Sequence, residues 1–203
     1  MLYSELQCSP AIHQAVERMG FAEMTEIQEK TIPVMMAGHD VIAKAPTGTG
    51  KTCAFGIPVA EHILPENKYP QAVIMAPTRE LAQQIAEELT QLTYFMPEVQ
   101  VACVYGGANM EKQAKRLAEG CQIVVATPGR LMDHYKHHTI DISHVTQIVL
   151  DEADEMLNMG FYKDVRHIIE MMKARKSLSM FSATISREVM DIGWLYQHNA
   201  EEI

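Results

Sequence analysis

Six short runs of mostly apolar residues punctuate the chain: Val41-Ile42-Ala43, Ala72-Val73-Ile74-Met75-Ala76, Val101-Ala102-Cys103-Val104, Ile123-Val124-Val125-Ala126, Ile148-Val149-Leu150 and Leu178-Ser179-Met180-Phe181. Apolarity is continuous in them rather than alternating, which describes strands covered on both faces, as in a parallel sheet. Helical patterns lie between the runs. Residues 80–90 carry Leu81, Ile85 and Leu89 at a four-residue step, and residues 110–119 end at Gly120, a residue suited to a helix C-cap. Strand, helix, strand repeated in this way specifies an α/β chain with a doubly wound parallel sheet, helices on both faces and right-handed crossovers. With 203 residues, 47% of them hydrophobic, and no repeat or Gly/Ser/Pro-rich linker, one large core is expected. Ligands of such sheets bind beyond the carboxyl ends of the strands, so the chemistry is expected just after each run.

Composition narrows the choice of chemistry. Seventeen Lys and Arg against 26 Asp and Glu leave a formal charge of −9, which excludes a general electrostatic grip on nucleic acid. Phosphate must therefore be bound by local backbone amides and a few placed cations. No apolar run approaches the roughly 20 residues of a membrane span, and the first residues lack a basic stretch leading into an apolar one. Cys8, Cys53, Cys103 and Cys121 show no Cys-x-x-Cys spacing and read as reduced core thiols, which suits the cytoplasm. His134, His137 and His138 read as a solvated helix end, because no thiolate or carboxylate beside them completes a metal set. Arg187 and Asp191 read as a surface pair on one helix, and the 15 Met residues as packing side chains.

The run at 41–43 leads through Lys44 into Ala45-Pro46-Thr47-Gly48-Thr49-Gly50-Lys51-Thr52 and then into the apolar Cys53-Ala54-Phe55. This is the phosphate-loop pattern, with Ala45 where glycine is commonest. Gly48 and Gly50 let successive N–H groups face an anion, and the helix that follows adds its positive end. Lys51 can reach β- and γ-phosphates, and the Thr52 hydroxyl can ligate Mg²⁺. A strand before and a helix after separate this pattern from a chance Gly-rich turn. The acidic partner follows Ile148-Val149-Leu150: Asp151 can hold Mg²⁺ through its water shell, and Glu152 can orient or deprotonate the attacking water. Asn67-Lys68-Tyr69-Pro70 lacks the Asp of a guanine-binding Asn-Lys-x-Asp. Gln28 offers the paired acceptor and donor that match the N6/N7 edge of adenine.

Gln28 with its upstream segment, the phosphate loop, Pro77-Thr78-Arg79-Glu80-Leu81-Ala82, Gly106-Gly107, Thr127-Pro128-Gly129-Arg130, Asp151-Glu152-Ala153-Asp154 and Ser182-Ala183-Thr184 occur in the order seen in DEAD-box RNA helicases. The chain resembles that family over nearly its whole length. The resemblance implies that residues 1–203 form the first of two RecA-like domains, carrying the Mg·ATP site and half of an RNA groove, with residues 1–28 as the adenine-recognising segment. It implies that Gln28 reads adenine and that Tyr3 stacks on the base where the family usually has Phe. Met24 replaces the usual Pro, while Thr25 and Gln28 match. Asp154, Ser182 and Thr184 resemble the network that couples ATP to RNA binding, although those hydroxyls could instead cap the helix beyond.

The same resemblance assigns RNA contacts to Pro77, Thr78, Arg79, Gly106, Gly107, Thr127, Pro128, Gly129 and Arg130. Hydroxyls, amides and guanidinium groups near helix N-termini suit a sugar–phosphate backbone and read no bases. The second RecA-like domain, with the arginines that stabilise the γ-phosphoryl group, has no counterpart up to Ile203. The expectation is a truncated piece of a longer protein: a monomer that binds nucleotide weakly and neither hydrolyses ATP quickly nor separates strands. An RNA clamp that only grips, and a DNA-directed helicase or other P-loop ATPase, are the rival readings. Lys51, Asp151 and Glu152 disfavour an inactive scaffold, and Gln28 with Asp151-Glu152-Ala153-Asp154 favours RNA over DNA.

Overall fold

The computed structural model describes residues 1–46 and 50–203; Thr47, Gly48 and Thr49 of the expected phosphate loop lie outside the described residues. Seven parallel strands form one sheet: β1 (Val41–Lys44), β2 (Ala72–Met75), β3 (Val101–Val104), β4 (Ile123–Ala126), β5 (Gln147–Leu150), β6 (Ser177–Ser182) and β7 (Glu201–Glu202), in the order β3-β4-β2-β5-β6-β1-β7. Six of them lie on the six apolar runs. Consecutive side chains of a strand enter different cores: Ala72 and Ile74 of β2 join one cluster, Val73 and Met75 the other. β4 divides likewise, with Ile123 and Val125 opposite Val124 and Ala126. Burial on both faces is why these strands show no alternation.

The helices covering the two faces are α1 (Pro10–Arg18), α2 (Glu26–Met36), α3 (Lys51–Glu61), α4 (Arg79–Leu92), α5 (Met110–Ala118), α6 (Pro128–Lys136), α7 (Ala153–Asn158), α8 (Tyr162–Met171) and α9 (Arg187–Tyr196). Short polar side chains start many of them. Ser9, Thr25, Thr78, Asn109 and Ser186 each accept a backbone N–H from the first turn. Gly120 follows α5 with φ of +100°, as its place in the sequence suggests.

Three expectations need correction. β7 is absent from the sequence pattern because its two residues are exposed glutamates; backbone bonds from Glu201 N–H to Asp40 O (2.9 Å) and Ile203 N–H to Ile42 O (3.0 Å) define it instead. The Asp40 carboxylate reinforces that corner by accepting the N–H groups of Leu178 and His198. His134 is fully buried, hydrogen-bonded to Gln113 and Thr139, while His137 and His138 are exposed, so only two of the three form a solvated helix end. Arg187 and Asp191 both lie on α9, yet they are not among the ion pairs of the described residues.

All four cysteines are free, and burial pushes the Cys53 thiol up to about 12 and the Cys121 thiol up to about 11. No helix among the described residues is long and apolar enough to cross a membrane. Between α3 and β6, the rings of Phe55 and Phe181 are fully buried with centroids 5.3 Å apart. Phe55→Ala is expected to cost about 3–5 kcal/mol of stability, measured by denaturant unfolding.

Candidate functional site

The nucleotide- and RNA-site residues assigned from the sequence and described in the structure, apart from Tyr3 and Gln28, lie at or just beyond the carboxyl ends of the strands. β1, β5 and β6 present residues 45–46 with 50–52, 151–154 and 182–184, whereas β3, β4 and β2 present 106–107, 127–130 and 77–79. Strand order alone therefore divides the edge into two neighbouring halves.

In the first half, β1 delivers the chain to Ala45, whose N–H is bound by Ser182 O at 2.9 Å. Gly50 then caps α3 in the left-handed region (φ +74°), a conformation open to glycine at little cost. The next residue, Lys51, is 5% exposed, and its Nζ lies 3.2 Å from Asp151 Oδ1 and 3.7 Å from Glu152 Oε1. Asp151 is fixed by its own N–H on Met75 O and by accepting the Glu152 N–H at 2.9 Å. Burial, at 1% exposure, pushes the Asp151 carboxyl above the usual range; Lys51 opposes that shift.

Glu152 itself has φ of +48°, a left-handed backbone on a non-glycine residue, so the acidic pair is held in a costly turn by its surroundings. Thr52 is buried one residue further into α3. Glu88 of α4 escapes notice in the sequence, where it reads as part of a solvated helix face. Burial raises its carboxyl, a hydrogen bond with the Thr52 hydroxyl pulls it down, and the charge of Asp151 raises it again.

Gln28 closes the site from the other side. Its Oε1 accepts the Tyr3 hydroxyl and the Thr25 N–H (3.0 Å), and its Nε2 donates to Gly50 O (3.0 Å). Thr25 returns the contact as the N-cap of α2, completing a capping box that Met24 in place of proline leaves intact. The amide thus braces the phosphate-loop turn. Its Oε1 already carries two donors, and a bidentate pairing with adenine would require one of them to yield. Tyr3 is 6% exposed and stacks on Phe21, which is 44% exposed. The open aromatic face belongs to Phe21, which the sequence reading passed over because only Tyr3 matched the family position.

Also in the first half, Asp154 collects Ser182 and Thr184. Thr184 donates its N–H (3.1 Å) and hydroxyl (2.9 Å) to Asp154 Oδ2; Ser182 Oγ accepts the Asp154 N–H (3.1 Å) and donates to Thr184 O (2.6 Å). Neither hydroxyl caps α9, because Ser186 does that. Burial pushes the Asp154 carboxyl up, but the bonds from Thr184, Glu155 N–H and Ser182 outweigh it and hold the group below its usual value. A carboxyl held low by folding contributes stability above its unfolded pKa, about 3.9, and loses it as pH falls through the folded value. Asp154→Asn is therefore expected to lower the denaturation midpoint at neutral pH, with the gap to the parent chain closing below about pH 4.

The second half is more open. Pro77 is buried, while Thr78 caps α4 and Arg79 is exposed, its guanidinium 4.8 Å above the Tyr105 ring. Gly106 and Gly107 are exposed, Gly107 with φ of +83°. Thr127 precedes Pro128 and Gly129 at the start of α6, and its hydroxyl makes no cap bond. Arg130 Nη1 turns inward to Ala108 O (2.9 Å) and Gln113 Oε1 (3.1 Å).

Comparison with known proteins agrees with this fold. The DEAD/DEAH box helicase profile matches residues 25–192. An ATP-dependent RNA helicase CshA of Limosilactobacillus reuteri is 47% identical over all of this chain and 41% of its own length. An ATP-dependent RNA helicase DeaD of Mycobacterium tuberculosis is 42% identical over 99% of this chain and 36% of its own. The chain thus spans about 40% of the curated relatives it matches. Among solved structures, a DEAD box protein from the hyperthermophile Methanococcus jannaschii superposes with a TM-score of 0.93 at 39% identity, over 100% of this chain and 55% of that one. A hypothetical ATP-dependent RNA helicase from Sulfolobus tokodaii gives 0.88 at 40% identity, over 95% and 56%. Ordered motifs, RecA-like sheet and full-length similarity coincide, and the chain belongs to the DEAD/DEAH box helicase family.

Proposed function

We propose that residues 1–203 are the ATP-binding, first RecA-like domain of an RNA helicase, with residues 1–28 as its adenine-side segment. In the whole protein, binding and hydrolysis of Mg·ATP would be coupled to local unwinding of RNA duplexes or remodelling of RNA–protein assemblies. The observation that carries this reading is the convergence of Lys51 Nζ on Asp151 and Glu152 across two neighbouring loops. A buried carboxylate already facing a cation, next to a hydroxyl, is a hard oxygen donor set of the kind magnesium takes. Thr52 and Asp151 would hold the ion, Asp151 partly through water. When bound, it supplies neutralisation of charge on the β- and γ-phosphate oxygens.

The protein's own groups do the rest. Residues 45–52 wrap the phosphates with backbone amides and the N-terminus of α3, and Lys51 exchanges its carboxylate partners for phosphate oxygens. Glu152, held in its left-handed turn, orients the attacking water and takes its proton. Gln28 and the exposed face of Phe21 border the base. Pro77, Thr78, Arg79, Gly106, Gly107, Thr127, Pro128 and Gly129 follow one RNA strand along its backbone, which makes binding indifferent to sequence. Asp154, Ser182 and Thr184 would couple nucleotide binding to RNA binding.

A second RecA-like domain would supply the arginine that stabilises the transferring phosphoryl group, a contribution of about 10³–10⁵ in rate. The chain alone is therefore expected to act as a monomer, to bind Mg·ATP, and to hydrolyse and unwind poorly; its working place would be the cytoplasm. Steady-state ATPase of the purified chain with single-stranded RNA, with DNA and without nucleic acid tests this reading. Slow turnover in all three, with RNA but not DNA tightening nucleotide binding, is expected. Rapid RNA-stimulated turnover, or equal responses to RNA and DNA, would overturn it.

A further inference from the structure

We infer that Gln113 and His134 are positioning residues for RNA binding: together with Arg130 they hold the Gly106-Gly107 turn in its receiving shape, and Arg130 serves as a brace of that turn. The inference rests on the RNA-binding reading above.

The turn needs external support. It follows β3, the edge strand of the sheet, so no strand lies on its outer side. Its two glycines are exposed, with no atom within 4 Å of where either Cβ would be. Side chains from elsewhere supply the missing hold at the two flanking carbonyls. Gln113 Nε2 donates to Tyr105 O at 3.0 Å, and Arg130 Nη1 donates to Ala108 O at 2.9 Å. Both supports meet at Gln113 Oε1, which accepts Arg130 Nη1 at 3.1 Å and His134 Nε2 at 2.9 Å.

A guanidinium only donates, so the Gln113 oxygen faces Arg130 and the amide nitrogen faces Tyr105 O. His134 then carries a hydrogen on Nε2, and in a neutral ring Nδ1 accepts from the Thr139 hydroxyl at 2.6 Å, a hydroxyl that also lies 3.1 Å from His134 O. Burial, and then the charge of Arg130, hold the His134 pKa below its usual value, consistent with a neutral ring. Every polar atom of the His134 and Gln113 side chains is thus used, at 0% and 8% exposure. Both hydrogen bonds of Arg130 are made by Nη1; its Nε is buried without a hydrogen-bond partner among the described residues, 3.6 Å from Asp133 Oδ2.

The test uses the full 203-residue chain, a fluorescent uridine dodecamer RNA, Mg·ATP, and amide exchange of Gly106 and Gly107 by NMR. Gln113→Met and His134→Phe are expected to speed exchange at both glycines and to weaken RNA binding about tenfold, with ATP affinity unchanged. His134→Gln, which keeps a donor near the Nε2 position, should restore most of both losses, a rescue that a merely space-filling role would not show. Should His134→Phe not fold, Gln113→Met and His134→Gln carry the same comparison. Folded variants with parental RNA affinity and parental exchange at the glycines would overturn the inference. A parent chain that binds no RNA would instead overturn the functional reading, while glycine exchange still decides whether the brace exists.

Discussion

Lys51→Ala is expected to lower ATP affinity by about a hundredfold or more, since it removes the charge-assisted contacts a buried ammonium makes to phosphate oxygens. It also strips the cation from Asp151, 3.2 Å away and nearly inaccessible to solvent. Removing one member of a buried pair costs roughly 3–5 kcal/mol when the other must stay charged. Asp151 can escape part of that cost by taking a proton, which fixes the sign of the pH dependence. A carboxyl whose folded pKa is raised stabilises the fold at low pH and loses that stability as pH rises through the raised value. The variant's deficit relative to the parent chain should therefore be smallest in acid and grow toward neutral pH, as measured by denaturant midpoints across that range.

Gly50→Ala should damage stability and nucleotide binding together. A Cβ at this position would lie 2.7 Å from Gln28 Nε2 and 3.4 Å from Thr25 Cγ2, on a backbone with φ of +74°. Left-handed backbone costs a residue with a side chain about 1–2 kcal/mol. Displacing the Gln28 amide from Gly50 O adds roughly 1–3 kcal/mol for groups left unpaired. Because Gln28 also accepts from Tyr3 and Thr25, strain at residue 50 spreads into the segment that borders the base. A thermal melt together with an ATP titration reads both effects. Loss of affinity with unchanged stability would mean that the Gln28 brace contributes nothing to the fold.

The strands and the phosphate-loop helix were legible because burial on both faces leaves a local signature that needs no partner to be read. The acidic pair was legible for a related reason: two carboxylates directly after a buried apolar run have no structural use as surface charge. Lateral hydrogen bonding leaves no such trace. β7 exists through the carbonyls of Asp40 and Ile42, and its own residues are two exposed glutamates. Gln28 looks like a free amide in sequence, and only the fold brings Gly50 and Tyr3 to it. His134 reads as a solvated group and Arg130 as an RNA contact because their helix is polar at that point, while the partners that hold them come from α5 and the turn before it. Tyr3 lies buried against the more exposed Phe21 for the same reason: an aromatic residue's place in a motif does not state which of two stacked rings faces outward.

The central claim is that the turn at Gly50–Lys51 and the pair Asp151–Glu152 serve one magnesium–triphosphate. The most direct measurement is a calorimetric titration of ATP into the parent chain and into Asp151→Asn, each in magnesium and in excess chelator. Magnesium should tighten binding to the parent chain by about tenfold or more, and Asp151→Asn should erase that difference while retaining the metal-free affinity conferred by Lys51. An equal magnesium effect in both proteins would contradict the account.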